Sequence, residues 1–226
     1  GHSGDQLIVL TNYKAPKYKV VRIDVQKKEV GNWLEVIPEK KNVLQHCEIA
    51  GDKLIATYLT DAHNKVSVFS QLGEHQYDLE LPQLGSVNSV SGHPESNELF
   101  YSFTSFTVPS QVWKHNLNTK ESEIFFKPDV DINSEEYVTE QVFYKSKDQT
   151  KIPMFLVYKK GLKKDGTNPA FLYGYGGFNV SLTPRFSSSN MIWLENGGIY
   201  ALANLRGGGE YGEKWHKQGM KLNKQN

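Results

Sequence analysis

The sequence is poor in the residues that carry the most readily recognised chemistries. A single cysteine, Cys47, stands among 226 residues, which excludes an internal disulfide framework and is compatible with a reducing compartment. Its neighbours Glu48 and Ile49 give it no catalytic setting. The seven histidines are scattered, none at metal-ligand spacing, and each reads as a surface or turn residue. No metal and no cofactor are expected. Acids and bases nearly cancel at a net +1, so there is no electrostatic case for nucleic acid or an acidic membrane. The lysines at 159, 160, 163 and 164 flank Gly161 and read as a solvated loop. No apolar run is long enough to span a bilayer, and the N-terminus lacks a signal-peptide pattern. These absences make a cytoplasmic protein without nucleic-acid or membrane partners the expectation. An initiator Met is also absent: Gly1-His2-Ser3-Gly4 runs at once into a strand, so the chain is expected to begin mid-protein.

What is present is organised around Pro169-Ala170-Phe171-Leu172-Tyr173-Gly174-Tyr175-Gly176-Gly177-Phe178. A short apolar run ending in glycines suits a buried strand that enters a loop of close backbone approach. A second such run, Ile199-Tyr200-Ala201-Leu202-Ala203-Asn204-Leu205, ends in Gly207-Gly208-Gly209. Between them, residues 184–196 can form a helix with Phe186, Ile192, Trp193 and Leu194 to bury and Gly197 as its stop. Two apolar strands joined by a helix predict a parallel βαβ unit covered on both faces. Ligands of such sheets sit at the carboxyl ends of strands, where both glycine clusters fall.

The first half repeats. Residues 5–10, 52–57 and 97–102 are alike, and their starts set a period in the middle forties. Each is followed by an alternating strand at 18–25, 65–70 or 111–117, then by a third apolar run at 33–37, 77–81 or 123–126. Several short strands at such a period, with no helix, predict propeller blades. A β-sandwich is the alternative that strand count alone leaves open. One blade cannot bury both its faces, so blades must stack on neighbours. Three repeats fall short of a closed ring of about 4–8 blades, which predicts a piece of something longer that folds poorly alone.

The character changes after Pro128. A polar, linker-like stretch at 129–136 precedes a hairpin with strands at 141–144 and 152–158, turning at Lys147-Asp148-Gln149-Thr150. The expected division is therefore residues 1–133 as propeller blades and 134–226 as the start of an α/β domain. Gly207-Gly208-Gly209-Glu210-Tyr211-Gly212 also satisfies G-x-G-x-x-G, which raises a nucleotide-dependent α/β enzyme as an alternative. The acid expected about 20 residues on would fall beyond Asn226, and no G-x-x-x-x-G-K-[ST] loop occurs. The plainer reading is that these glycines allow tight turns and close packing. A non-catalytic propeller interaction module with an α/β appendage is a further alternative.

Taken together, several motifs resemble the prolyl oligopeptidase family of serine peptidases. They are Phe171-Leu172-Tyr173-Gly174-Tyr175-Gly176-Gly177-Phe178, Leu182-Thr183-Pro184, and Ala203-Asn204-Leu205-Arg206-Gly207-Gly208-Gly209-Glu210-Tyr211-Gly212. Trp215-His216, Asn223-Lys224-Gln225-Asn226, the hairpin around Val142-Phe143-Tyr144 and Lys151-Ile152-Pro153-Met154-Phe155, and Phe103-Thr104-Ser105-Phe106 are similar too. The resemblance runs over essentially the whole chain and is strongest from about Gln141 onward. It implies the C-terminal blades of a seven-bladed propeller followed by the opening strands of an α/β-hydrolase domain. It also implies cleavage of short peptides after proline, by a monomer.

No G-x-S-x-G occurs anywhere in the sequence, so no nucleophile elbow is present. In hydrolases of this kind Ser, Asp and His follow the early strands in that order, so the triad is expected beyond Asn226. Ser86, Ser91 and His216 have no spacing that would substitute for it. The resemblance assigns Tyr175 as an oxyanion-hole donor and Phe178 as a wall of the proline pocket. A phenol is a protonated donor at neutral pH, and an aromatic face suits a pyrrolidine ring. From periodicity alone Tyr175 reads instead as a buried tyrosine bonded to a neighbouring carbonyl. Tyr173 is assigned to the core, and Arg206 with Glu210 to an ion pair holding the second glycine turn.

Overall fold

The computed structural model describes residues 1–225; Asn226, the last residue of the Asn223-Lys224-Gln225-Asn226 motif, lies outside the described residues. Three four-stranded antiparallel meanders come first. The strands are β1 (His2–Ser3), β2 (Gln6–Thr11), β3 (Lys19–Asp24) and β4 (Leu34–Ile37) in one sheet. The next holds β5 (Val43–Ala50), β6 (Lys53–Thr60), β7 (His63–Ser70) and β8 (His75–Asp78). The third holds β9 (Ser86–Gly92), β10 (Glu98–Thr104), β11 (Gln111–Asn116) and β12 (Ser122–Phe126). The repeat legible in the sequence is the second, third and fourth strand of each meander.

The meanders stack face to face, and β6 shows why. Its six central residues are all buried, although a strand with one wet face would alternate. Leu54, Ala56 and Tyr58 point toward Ile8, Val20 and Ile37 of the first sheet. Ile55, one pleat away, joins Leu99, Tyr101 and Phe103 of the third sheet. The middle sheet is thus covered on both sides, as a blade must be. His115 departs from the surface role expected of the histidines. It lies buried on β11, with Nδ1 2.8 Å from Ser122 Oγ and Nε2 3.0 Å from the Tyr77 hydroxyl, and burial lowers its pKa.

The second part is a mixed sheet. β13 (Tyr137–Lys145) and β14 (Lys151–Lys159) form the expected hairpin. β15 (Ala170–Gly174), α1 (Ser188–Glu195) and β16 (Ile199–Ala203) then form the expected parallel βαβ unit, in sheet order β13-β14-β16-β15. A short helix, α2 (Glu213–Gln218), follows.

Four expectations about the βαβ unit are corrected by the structure. The helix begins at Ser188 rather than near Pro184, because residues 184–187 run across to the third meander: the Ser86 hydroxyl donates to the Pro184 carbonyl at 2.7 Å. It buries Met191 and Leu194, while Ile192 and Trp193 face outward. Both strands of the βαβ unit are not buried: β16 is, but β15 is exposed at all five positions. The helix packs over β16 and β14, and β15 is the sheet's edge. Tyr173 is therefore not core, at 43% exposed.

The two parts meet through side chains of the meander loops. Phe106 puts its ring 5.4 Å from Phe155 and 5.9 Å from Tyr200. Ala62 is fully buried in the same cluster, at the tip of the β6–β7 hairpin. Asp61 and Ala62 both have positive φ, 45° and 65°, the pattern of a two-residue turn matched to strand twist.

Candidate active site

The carboxyl ends of β15 and β16 lie side by side, and each runs into a glycine loop. The loops touch backbone to backbone. Gly176 has φ +60° and Gly207 φ +102°. A Cβ on Gly207 would come within 2.2 Å of the Gly176 carbonyl oxygen, and one on Gly176 within 2.5 Å of Leu205 Cβ. Only glycine meets both demands, of dihedral and of space. The same packing bears on the dinucleotide alternative. A Cβ on Gly208 would lie 2.7 Å from the Val180 carbonyl, and one on Gly209 2.8 Å from that of Asn179. The second glycine loop faces its own chain rather than an open phosphate cradle.

Arg206 and Glu210 do not pair with each other. The turn at Gly207 sends their side chains apart. Arg206, 4% exposed in its side chain, forks onto Asp148 at 2.5 and 3.0 Å and reaches Thr150 Oγ1 at 3.2 Å and Ser146 Oγ at 3.1 Å. It thereby ties the second glycine loop to the β13–β14 turn. The guanidinium beside Asp148 holds its carboxyl well below the usual carboxylate range. Glu210 is buried, accepts from the Leu182 amide at 2.9 Å, and has its carboxyl pushed up by burial.

Tyr175 and Phe178 occupy the first loop. Tyr175 is 45% exposed, with its ring centroid 6.4 Å from that of Phe178. Among the described residues Tyr175 is thus not buried, contrary to what periodicity alone would have. Phe178 is 86% exposed and, with Asn179, sits at positive φ (52° and 59°). Two consecutive left-handed non-glycine residues are uncommon and need holding in place. The Asn179 amide donates to the Gly207 carbonyl at 3.0 Å and to His216 Nδ1 at 3.1 Å, and Nδ1 lies 2.7 Å from that same carbonyl oxygen. The second loop thus fixes the bend that presents Phe178.

The residues set aside in the sequence have other occupations. The Ser86 hydroxyl is spent on Pro184, and His216 on Gly207. Burial pushes the Cys47 thiol up to about 12, away from thiolate chemistry. Among the described residues, no three His, Cys, Asp or Glu side chains cluster as a metal site would require. No described helix is long and apolar enough to cross a membrane. Sequence reasoning missed Asp148 as the partner of Arg206, and it gave no role to Lys224. The Lys224 ammonium donates to the Gly176 carbonyl and, at 3.1 Å, to that of Arg206. No local pattern encodes contacts over such separations.

Comparison with known proteins agrees with this architecture. Residues 1–128 match the family model described as prolyl oligopeptidase, N-terminal beta-propeller domain, and residues 184–226 match that of the prolyl oligopeptidase family. The prolyl endopeptidase of Elizabethkingia meningoseptica is 46% identical over 223 residues, covering 99% of this chain and 32% of that protein. The prolyl endopeptidase of Dictyostelium discoideum is 36% identical over 96% of this chain and 30% of its own length. A solved prolyl endopeptidase, described in a study of inter-domain dynamics, superposes with a TM-score of 0.93 at 44% identity, covering 99% of this chain and 33% of that one. Prolyl oligopeptidase B of Galerina marginata, bound to a 35mer hydrolysis and macrocyclization substrate, gives 0.90 at 33% identity, over 99% of this chain and 32% of its own. The chain spans about a third of the length of the relatives it matches. The stacked meanders are blades of a β-propeller and the mixed sheet opens a peptidase domain of the α/β-hydrolase type. From its propeller blades to its paired glycine loops, the chain belongs to the prolyl oligopeptidase family.

Proposed function

We propose that these residues form part of a serine peptidase that cleaves short peptides on the carboxyl side of proline. The observation that carries this reading is the joint placement of Tyr175 and Phe178. Both aromatic rings stand exposed on one loop at the carboxyl end of β15, 6.4 Å apart. In α/β-hydrolases the loop after an early strand supplies oxyanion donors. Tyr175 is assigned the donor role: its hydroxyl stabilises the oxyanion that forms when a serine attacks the scissile carbonyl. Phe178 offers its ring face to the pyrrolidine of the proline residue. The serine, aspartate and histidine are assigned to the part of the relatives' length that this chain does not span.

The division proposed is blades over residues 1–133 and the opening of the catalytic domain over 134–226, with the blades restricting access to the site. The enzyme is assigned to the cytoplasm and to a monomeric state. The single, half-buried Cys47 is consistent with a reducing compartment.

The test compares a full-length polypeptide carrying these residues with the 226-residue chain. The full-length form should release chromophore from a proline-containing peptide and be silenced by a serine-directed phosphonate. The chain alone should do neither, because oxyanion donors without a nucleophile have no tetrahedral intermediate to stabilise. Phosphonate-sensitive turnover by the chain alone would show a nucleophile within it and overturn the assignment of the triad.

A further inference from the structure

Lys224 lies in the last helical turn (Lys221–Gln225), 48 residues from Gly176 and 18 from Arg206. Its ammonium donates to the carbonyl oxygens of both. These carbonyls belong to different glycine loops, and the loops are close enough that no Cβ fits between Gly207 and the Gly176 oxygen. Two carbonyl oxygens turned toward one locus repel each other. A cation with three donors placed between them converts that repulsion into two charge-assisted hydrogen bonds.

We propose that Lys224 is a positioning residue for Tyr175, an inference that rests on the oxyanion reading of that tyrosine. The connection is short. Gly176 follows Tyr175 directly, so holding the Gly176 carbonyl sets the peptide planes through which Tyr175 leaves the strand. Gly176, at φ +60°, has no side chain of its own with which to fix the direction of its carbonyl. The other carbonyl held by Lys224 belongs to Arg206, whose guanidinium is clamped by Asp148 on the β13–β14 turn. Lys224 therefore relays the fixed position of that hairpin to the exposed loop. An oxyanion donor works only when aimed beforehand, and tolerances of such sites are on the order of 0.5 Å.

Lys224 is exposed, so replacing it with methionine keeps most of the stem and removes the two bonds. In a full-length polypeptide, Lys224→Met should lower kcat by about 10- to 100-fold while KM and Tm change little. Lys224→Arg retains a cationic donor and should recover most of the loss. The decisive arm is Lys224→Met placed in a Tyr175→Phe background. There it should cost little more, because the hydroxyl it positions is already gone. Losses that multiply in full, a kcat unchanged by Lys224→Met, or a loss that only tracks a falling Tm would each overturn the role of Lys224 alone. A Tyr175→Phe variant with normal kcat would overturn the oxyanion reading itself and this inference with it.

Discussion

The Tyr211 hydroxyl donates to Asp61 Oδ1 at 2.7 Å, joining the second glycine loop to the tip of a propeller hairpin across 150 residues of sequence. Tyr211 also packs its ring 4.7 Å from Trp215, and the Gln141 side chain donates to the Asp61 carbonyl. The β6–β7 tip is thus seated in the peptidase part on both its carboxylate and its backbone. Tyr211→Phe should keep the ring contact and remove the hydrogen bond, at a cost of about 1–3 kcal/mol for a bond to a carboxylate. Denaturant titrations of Tyr211→Phe, Asp61→Asn and the double variant give the coupling. Additive losses would show that the two groups act independently.

Asp78 sets an acid limit on the middle blade. Burial pushes its carboxyl up, but hydrogen bonds from Lys65, Ser67 and His75 outweigh burial and hold it at about 2. A depressed carboxyl contributes stability that is present above its ordinary value near 4 and is lost as pH falls through the folded value. Tm should therefore fall between about pH 4 and pH 2, and Asp78→Asn should flatten that part of the curve. Added salt should shrink the effect, since the group is only partly buried. An unchanged slope in the asparagine variant would assign the acid sensitivity elsewhere.

The glycine contact separates dihedral strain from crowding. Gly207 and Gly166 both have positive φ, 102° and 87°, but a Cβ meets the Gly176 oxygen at Gly207 and nothing within 4 Å at Gly166. Alanine at either site incurs backbone strain of about 1–3 kcal/mol. Gly207→Ala must in addition push the first loop away, so it should melt earlier than Gly166→Ala and, in a full-length polypeptide, also lower kcat. Equal Tm values would mean that the loops do not touch as described.

How much of this was legible in the sequence depends on the range of each interaction. β6 announces itself by an apolar run because both its faces are buried, and β10 by an apolar run whose burial alternates from Leu99 to Phe103. The first strands β5 and β9 did not, since Gln45-His46 and Asn88-Ser89 place polar residues at their centres and bulges break their alternation. Tyr173 reads as core from its apolar neighbours, but an edge position is a property of the sheet and not of the strand. Arg206 and Glu210 stand at a spacing that pairs side chains on a helix, and the backbone there is a glycine turn. The roles proposed for Tyr175 and Phe178 rest on resemblance to a family motif. Lys224 belongs to a motif that carries the resemblance, but nothing in that motif points to the Gly176 carbonyl 48 residues away.

The most direct test of the account is the kcat and KM of Tyr175→Phe in a full-length polypeptide, measured beside Tyr173→Phe. Each substitution removes one hydroxyl and keeps the ring, so packing and Tm should change little in either variant. A donor aimed at the developing oxyanion stabilises the transition state more than bound substrate, so its loss falls on kcat. Tyr175→Phe should lower kcat by roughly 10²–10³, about 3–4 kcal/mol, with little change in KM, while Tyr173→Phe should do much less. A Tyr175→Phe enzyme with near-normal kcat, or one no more impaired than Tyr173→Phe, would contradict the assignment on which the proposed mechanism stands.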